Sequence, residues 1–233
     1  MIAEPPRSRR DRPAKPALTR QGIVDAALVI LRDEGLHKVT MRRIATVLDT
    51  GPASLYVYVR NTEDLHAQIL DELLAPVPAA PRGGGDWRER LKALLTDFRD
   101  ILFRHPEIAR MALSTHPSGP NYMALVEAVL ALLAEGGVGG RAAAWGLDIL
   151  LLFPTAVAVE HSGPRSSVPE DVELSDLAAK IAVADPARFP HLAMFGAELV
   201  SGDGGSRSDF AFDVLLDGIL AANGRTSTER ESS

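Results

Sequence analysis

Apolar residues recur at helical spacing along most of this chain, and most tightly between Leu18 and Leu74. Ile23, Ala26, Ala27, Ile30 and Leu31 share one helical face, which Asp33, Glu34 and Gly35 bring to a stop. Thr40 stands where a side-chain oxygen can cap the free N–H groups of a second helix, Met41 to Val47. A turn over residues 48–51 follows. Pro52, whose fixed φ suits a first helical turn, then opens a third helix from Ala53 to Tyr58. Two short helices joined by a tight turn form a helix-turn-helix, the unit that lays its second helix in the DNA major groove.

The pattern stays helical afterwards. A fourth helix from Thr62 to Leu74 turns Leu65, Ile69, Leu73 and Leu74 inward. The Pro/Gly-rich stretch 76–85 breaks it and marks a domain boundary. Asp86-Trp87-Arg88-Glu89 resembles a capping box and opens a helix reaching Phe103. Further helices are expected over 106–114, 121–135 and 141–161, then, after a polar loop at 162–174, over 175–183, 187–199 and 208–222. The tail after Asn223 is polar. With no strand pattern and no internal repeat, the fold class is all-α. The expected domains are an N-terminal helix-turn-helix unit over 18–75 and a C-terminal helical body over 86–223.

Composition changes this picture in three places. The 233 residues are 46% apolar, enough for a large core, and include no cysteine, which excludes disulfides and thiolate chemistry and fits a cytoplasmic location. The first residues carry no apolar signal core. The longest apolar run, 147–159, is interrupted by Asp148 and Pro154 and falls short of the roughly 20 residues of a membrane span. It is expected to be a buried core helix, with no membrane partner.

The net charge of −6 hides an asymmetry: residues 1–60 hold eleven Lys/Arg against six Asp/Glu (11 − 6 = +5), and the remainder fourteen against twenty-five (14 − 25 = −11). A basic end on an acidic body is expected where one end meets phosphate, although charge scatter produces the same sums. Residues 1–17 carry Arg7, Arg9, Arg10, Arg12 and Lys15 among four prolines. They read as a flexible basic arm, adding phosphate contacts or serving only as a solubilising tail.

The segment resembles the DNA-binding domain of the tetracycline-repressor (TetR) family. The resemblance is carried by the face from 23 to 27, Gly35, Val39-Thr40-Met41-Arg42-Arg43-Ile44-Ala45, and Ser54-Leu55-Tyr56-x-Tyr58-Val59-x-Asn61 followed by Leu65. The C-terminal part is similar more loosely, through Trp87, Phe98-Arg99, Leu102, Arg104, Thr115-x-Pro117, Val159-Glu160 and the closing Phe210-Ala211-Phe212-x-Val214-Leu215-Leu216-x-Gly218-Ile219. The resemblance implies a homodimer built by packing the last long helices into a four-helix bundle, with a small-molecule pocket in each ligand-binding body.

Carried over position by position, it assigns DNA contact to Thr40, Arg42, Thr50, Pro52, Ala53, Ser54, Tyr56, Tyr58 and Arg60. Arginine can fork onto guanine, hydroxyls can donate to phosphate, and Pro52 and Ala53 can meet thymine methyls. Leu55, Val59, Ile44 and Leu48 read as the core side. Tyr56 and Tyr58, two residues apart, cannot both point inward. Two positions depart from the family: Asp49 stands where glycine is usual in the turn, which Asp tolerates because it visits the left-handed region, and Thr62 replaces a frequent lysine.

For the pocket, the resemblance places Leu94 and Ala112 where the tetracycline repressor has its drug-holding asparagine and metal-binding histidine, and only Glu160 matches a metal-side carboxylate. One carboxylate makes a poor magnesium site, so no metal and no cofactor is expected. The effector is expected to be largely apolar, held by Phe98, Leu102, Met111, Thr115, Trp145, Asp148, Phe153 and Glu160, each of which can equally be core or surface. Asp148 draws notice because it interrupts an apolar run, and a buried carboxylate needs a partner. His105, His116 and His161 are further polar candidates.

Two other classes were weighed. An enzyme finds no support: the six histidines show no i, i+4 ligand pair, and there is no Gly-rich phosphate loop or Gly-x-Ser-x-Gly elbow. A helical interaction protein that has lost DNA binding conflicts with an intact Arg42 and Ser54-Leu55-Tyr56. The sequence therefore predicts a ligand-responsive transcriptional repressor that binds a palindromic operator on double-stranded DNA as a dimer.

Overall fold

Side-chain caps set where several of the helices begin. In the computed structural model, which describes residues 17–77, 85–113, 117–161 and 170–231, Thr19 accepts from the N–H of Gly22 at 3.0 Å and starts α1 (Arg20–Glu34). Thr40 accepts from Arg43 N at 3.1 Å and starts α2 (Met41–Val47). Pro52 sits in the first turn of α3 (Pro52–Leu55), and Asn61 accepts from Asp64 N at 2.8 Å at the head of α4 (Thr62–Leu74). Asp86 accepts from Glu89 N at 2.9 Å and opens α5 (Trp87–Arg104). These caps satisfy N–H groups that have no partner within the helix. The remaining helices are α6 (Pro106–Ala112), α7 (Pro120–Glu135), α8 (Gly140–Glu160), α9 (Glu170–Ala182), α10 (Pro190–Leu199) and α11 (Gly204–Glu231). No strand occurs among the described residues, and the fold is all-α.

The chain divides into two compact units, Met1–Leu65 and His66–Ser233, and the division falls inside α4. In the first unit the core is Ile23, Ala27, Ile30, Ile44, Ala45, Leu55, Val59 and Leu65. In the second, α8 packs against α5, α6, α7 and α11. Its core draws Leu91, Leu95, Phe98 and Leu102 from α5, Leu125, Val129 and Leu133 from α7, Leu150 from α8, and Phe212 and Leu216 from α11. Arg88 and Lys92 of α5 bridge to Asp209, Asp213 and Asp217 of α11 and lock the two helices together. This ladder holds the Asp213 carboxyl below its ordinary value, first through its hydrogen bond from Lys92.

Some expected boundaries move. The third helix ends at Leu55 rather than Tyr58, because the N–H groups of Tyr58 and Val59 both turn onto the Leu55 carbonyl. The loop expected at 162–174 is already helical from Glu170. The last helix runs from Gly204 to Glu231 instead of stopping at Ala222. Asn223 on that helix accepts from Gly139 N at 3.1 Å and donates to Gly137 O at 2.9 Å, tying the polar extension to the α7–α8 turn.

The apolar run expected to be a buried core helix lies in α8, which is long and apolar enough to cross a membrane by length and composition alone. Only part of its perimeter is buried, at Ala143, Gly146, Leu150, Leu151, Pro154, Thr155 and Ala158. Trp145, Ile149 and Leu152 face outward, so the helix is apolar on its exposed side as well as on its buried one.

Candidate nucleic-acid interface

The turn between α2 and α3 fixes what the reading segment presents. Asp49 adopts φ +49°, the left-handed conformation in which Asp is tolerated, and Thr50 N closes the turn onto Ala45 O at 2.8 Å. Leu55 and Val59, one turn apart, are fully buried and pin the segment to the core. That leaves Pro52, Ala53, Ser54, Tyr56 and Val57 exposed along one outer surface, while Thr50 and Tyr58 are half-buried. Leu48 is also half-buried, so it belongs only partly to the core side.

Neighbouring arginines play different parts. Arg43 turns back onto α1, where its Nη2 lies 2.6 Å from Glu34 Oε1. The hydrogen bond between them is the main reason that Glu34 titrates below, and Arg43 above, their ordinary values. Arg42, one residue earlier, is exposed and makes no ion pair among the described residues. Of the two guanidiniums it is the one that no carboxylate among the described residues engages.

Thr40 uses its hydroxyl oxygen as an acceptor for the α2 cap and keeps its O–H to donate. Arg60 is exposed, and its backbone N–H is held by Asp64 Oδ2 at 2.8 Å, which fixes the chain entering α4.

The nine expected contact positions thus lie along one continuous stretch, from the head of α2 to the entrance of α4. Val57, outside the nine expected positions, is 79% exposed between the two tyrosines. Its signal was available: once Leu55 and Val59 are assigned inward, helical spacing turns 56 and 57 outward.

The expected effector residues are not brought together in the same way. Phe98 and Leu102 are buried in the second unit, Met111 is half-buried, and Phe153 is half-buried with its ring edge-on to Phe212 at 5.5 Å. Trp145 is 65% exposed and stacks under the Arg141 guanidinium at 5.1 Å. It opens onto a groove of about 450 Å³ with Ile149, Val214 and Gly218, on the outer side of α8 and α11. Asp148 is exposed, contrary to the expectation of a buried carboxylate. Burial, and after it the negative charge of Asp148, raises the Tyr122 hydroxyl of α7 above its ordinary value. Glu160 is exposed at the end of α8. Thr115 and His116 lie outside the described residues, as do residues 1–16 of the basic arm.

Comparison with known proteins finds a family for both parts of the chain. Residues 23–69 match the family model for bacterial regulatory proteins of the tetR family, and residues 78–222 match the tetracyclin repressor-like C-terminal domain. An HTH-type transcriptional regulator of Saccharopolyspora erythraea is 36% identical over 126 residues, covering 54% of this chain and 53% of that protein. The transcriptional repressor DrrR1 of Streptomyces coeruleorubidus is 37% identical over 131 residues, 56% of this chain and 48% of that one. The chain therefore spans about half the length of these two curated relatives. The crystal structure of apo ActR from Streptomyces coelicolor covers 92% of this chain and 100% of its own at 33% identity, with a TM-score of 0.78. ActR in complex with actinorhodin matches at 34% identity and a TM-score of 0.77, covering 89% of this chain and 99% of its own.

Proposed function

The chain belongs to the tetracycline-repressor family, whose matched members here are regulators and not enzymes, and from that premise we propose that it is a dimeric transcriptional repressor released from a palindromic operator by a small molecule. The observation that carries this reading is the outward row Pro52, Ala53, Ser54, Tyr56 and Val57, held over buried Leu55 and Val59 beside Arg42, which makes no ion pair among the described residues. In the proposed complex this row enters the major groove. Arg42 forks onto guanine, Pro52 and Ala53 meet thymine methyls, and Thr40, Thr50, Ser54, Tyr56, Tyr58 and Arg60 contact the phosphates.

Dimerisation is supported by the outer face of α8 and α11, where Trp145, Ile149, Leu152, Phe210 and Val214 are all more than 40% exposed in the single chain. Five large apolar side chains on two adjacent helices form the kind of patch that soluble chains bury against a partner. Two copies would set their reading segments about 34–36 Å apart, one DNA turn, which calls for a palindromic site.

The effector would occupy the body within reach of Phe98, Leu102, Met111 and Phe153. Trp145, being on the outer face of α8 and α11, is reassigned to the subunit contact. Binding would favour a form in which the reading segments are wrongly spaced, with α4 as the lever because it runs from one unit into the other.

Binding of the purified protein to the DNA flanking its own gene, against scrambled DNA and across a salt series, tests the reading. Preference for a palindrome, weakening steeply with salt, is expected. Equal weak binding to both DNAs would refute it.

A further inference from the structure

We propose that the body carries a second ligand site, for an aromatic carboxylate, where the C-terminal ends of α5 and α8 meet the start of α11. A cavity of about 540 Å³ lies there, lined by Arg99, Asp100, Phe103, Arg104, Val157 and His161, with the α11 residues Gly204, Gly205 and Ser208 as its floor.

Charge and shape both specify the ligand. The chain from residue 61 onward is strongly acidic (14 − 25 = −11), yet this cavity sets two guanidiniums against a single carboxylate. Asp100 is spoken for by Arg99, which donates to its Oδ1 from Nε at 3.0 Å and Nη2 at 2.8 Å. Arg104 makes no ion pair among the described residues, although Asp100 stands one helical turn away. A guanidinium left open at the rim of a cavity matches a carboxylate through two parallel N–H donors.

Arg99 has only 17% of its side chain exposed and lies 5.9 Å from the centroid of the Phe103 ring. Phe103 in turn tilts against the His161 imidazole at 5.4 Å, and His161 is fixed by its Nδ1 against Val157 O at 2.9 Å. Rings held in this way, with Val157 beside them, offer an aromatic ligand a surface to stack on. The N–H groups at the start of α11 offer an anion little, because the Asp203 carboxylate already caps them through Ser206 N at 2.8 Å and brings its own negative charge there. The anion is therefore assigned to the arginines.

Calorimetric titration of the full chain with 2-naphthoate and with its neutral analogue 2-naphthamide tests the site without any DNA, so its outcome is independent of the operator reading. The acid is expected to bind at least tenfold more tightly than the amide, and Arg104→Gln to remove most of that preference, on the order of the tenfold that loss of a charged hydrogen bond brings. Lys180→Gln removes the same charge from the exposed face of α9 and is expected to leave the affinity unchanged. Inorganic phosphate is expected to compete poorly, since it cannot stack. Equal binding of acid and amide, full affinity in Arg104→Gln, an equal loss in Lys180→Gln, or ready displacement by phosphate would each overturn the proposal. So would the absence of naphthoate binding at millimolar concentration.

Discussion

Removing the Asp71 carboxylate is expected to loosen α4 from the body by a measurable amount. Asp71 is 7% exposed on the C-terminal half of α4. It accepts from Tyr122 N at 2.8 Å and from Asn121 Nδ2 at 3.3 Å, so it caps α7 from another helix. The Gly119 that begins α7 offers no side-chain cap of its own, and a methyl group added there would fall within the Asp71 carboxylate.

Asp71→Ala deletes a cap worth about 0.5–2 kcal/mol and leaves a half-buried N–H without its acceptor, costing up to about 3 kcal/mol. These overlap, so a net loss of about 2–3 kcal/mol is expected, or roughly 4–12 °C in Tm for a chain of this size. Asp71→Asn keeps one acceptor oxygen and loses only the charge at the helix N-terminus, about 0.3–1 kcal/mol. Gly119→Ala should resemble Asp71→Ala, because it displaces the same carboxylate. Thermal unfolding followed by circular dichroism gives the ranking. An Asp71→Ala protein melting within about 1 °C of the parent would refute the argument that this carboxylate is a cap.

Arg42→Ala is expected to weaken operator binding by about 1–3 kcal/mol, roughly 5- to 150-fold, whereas Arg43→Ala, already tied to Glu34, should cost much less in fluorescence anisotropy. Equal losses would show that the two arginines are not divided as described. Leu152→Glu places a charge on the outer face of α8 at a site 52% exposed in the single chain, so sedimentation is expected to shift from dimer to monomer with helix content unchanged. A dimer that persists would move the interface elsewhere. Burial, and after it the charge of Arg104, pushes His105 below its ordinary value of 6.5. Folded protein then binds fewer protons there than unfolded protein, so its contribution to stability is complete above about 6.5 and is lost as the pH falls below it. His105→Gln should flatten that part of the stability profile in denaturant titrations at pH 5 to 8, taken as rough bounds; an unchanged slope would count against a half-buried neutral imidazole.

What the sequence determined by itself is the set of features decided within a few residues. Thr40, Asp86 and Pro52 begin their helices as read, because a cap or a fixed φ acts on N–H groups three positions away or fewer. Asp49 in the left-handed turn and the inward pair Leu55 and Val59 were equally legible, since both follow from local sterics and helical period. The exposure of Pro52, Ala53, Ser54 and Tyr56 was legible for the same reason, and that of Val57 could have been.

Tertiary structure decided the rest. Which side of α8 meets α5, α6 and α7 could not be read from a helix apolar all round, so Asp148 and Trp145 came to lie outside while Leu150 lies inside. The polar end of α11 stays helical beyond Ala222, with Asn223 making bonds to Gly137 and Gly139 more than eighty residues away in sequence. Asp71 capping α7, and Arg99, Arg104 and His161 meeting at one cavity, depend likewise on helices brought together by the core. Periodicity specifies that a face is apolar, but the free energy of burial carries no direction, and only the packed neighbours select which face is covered.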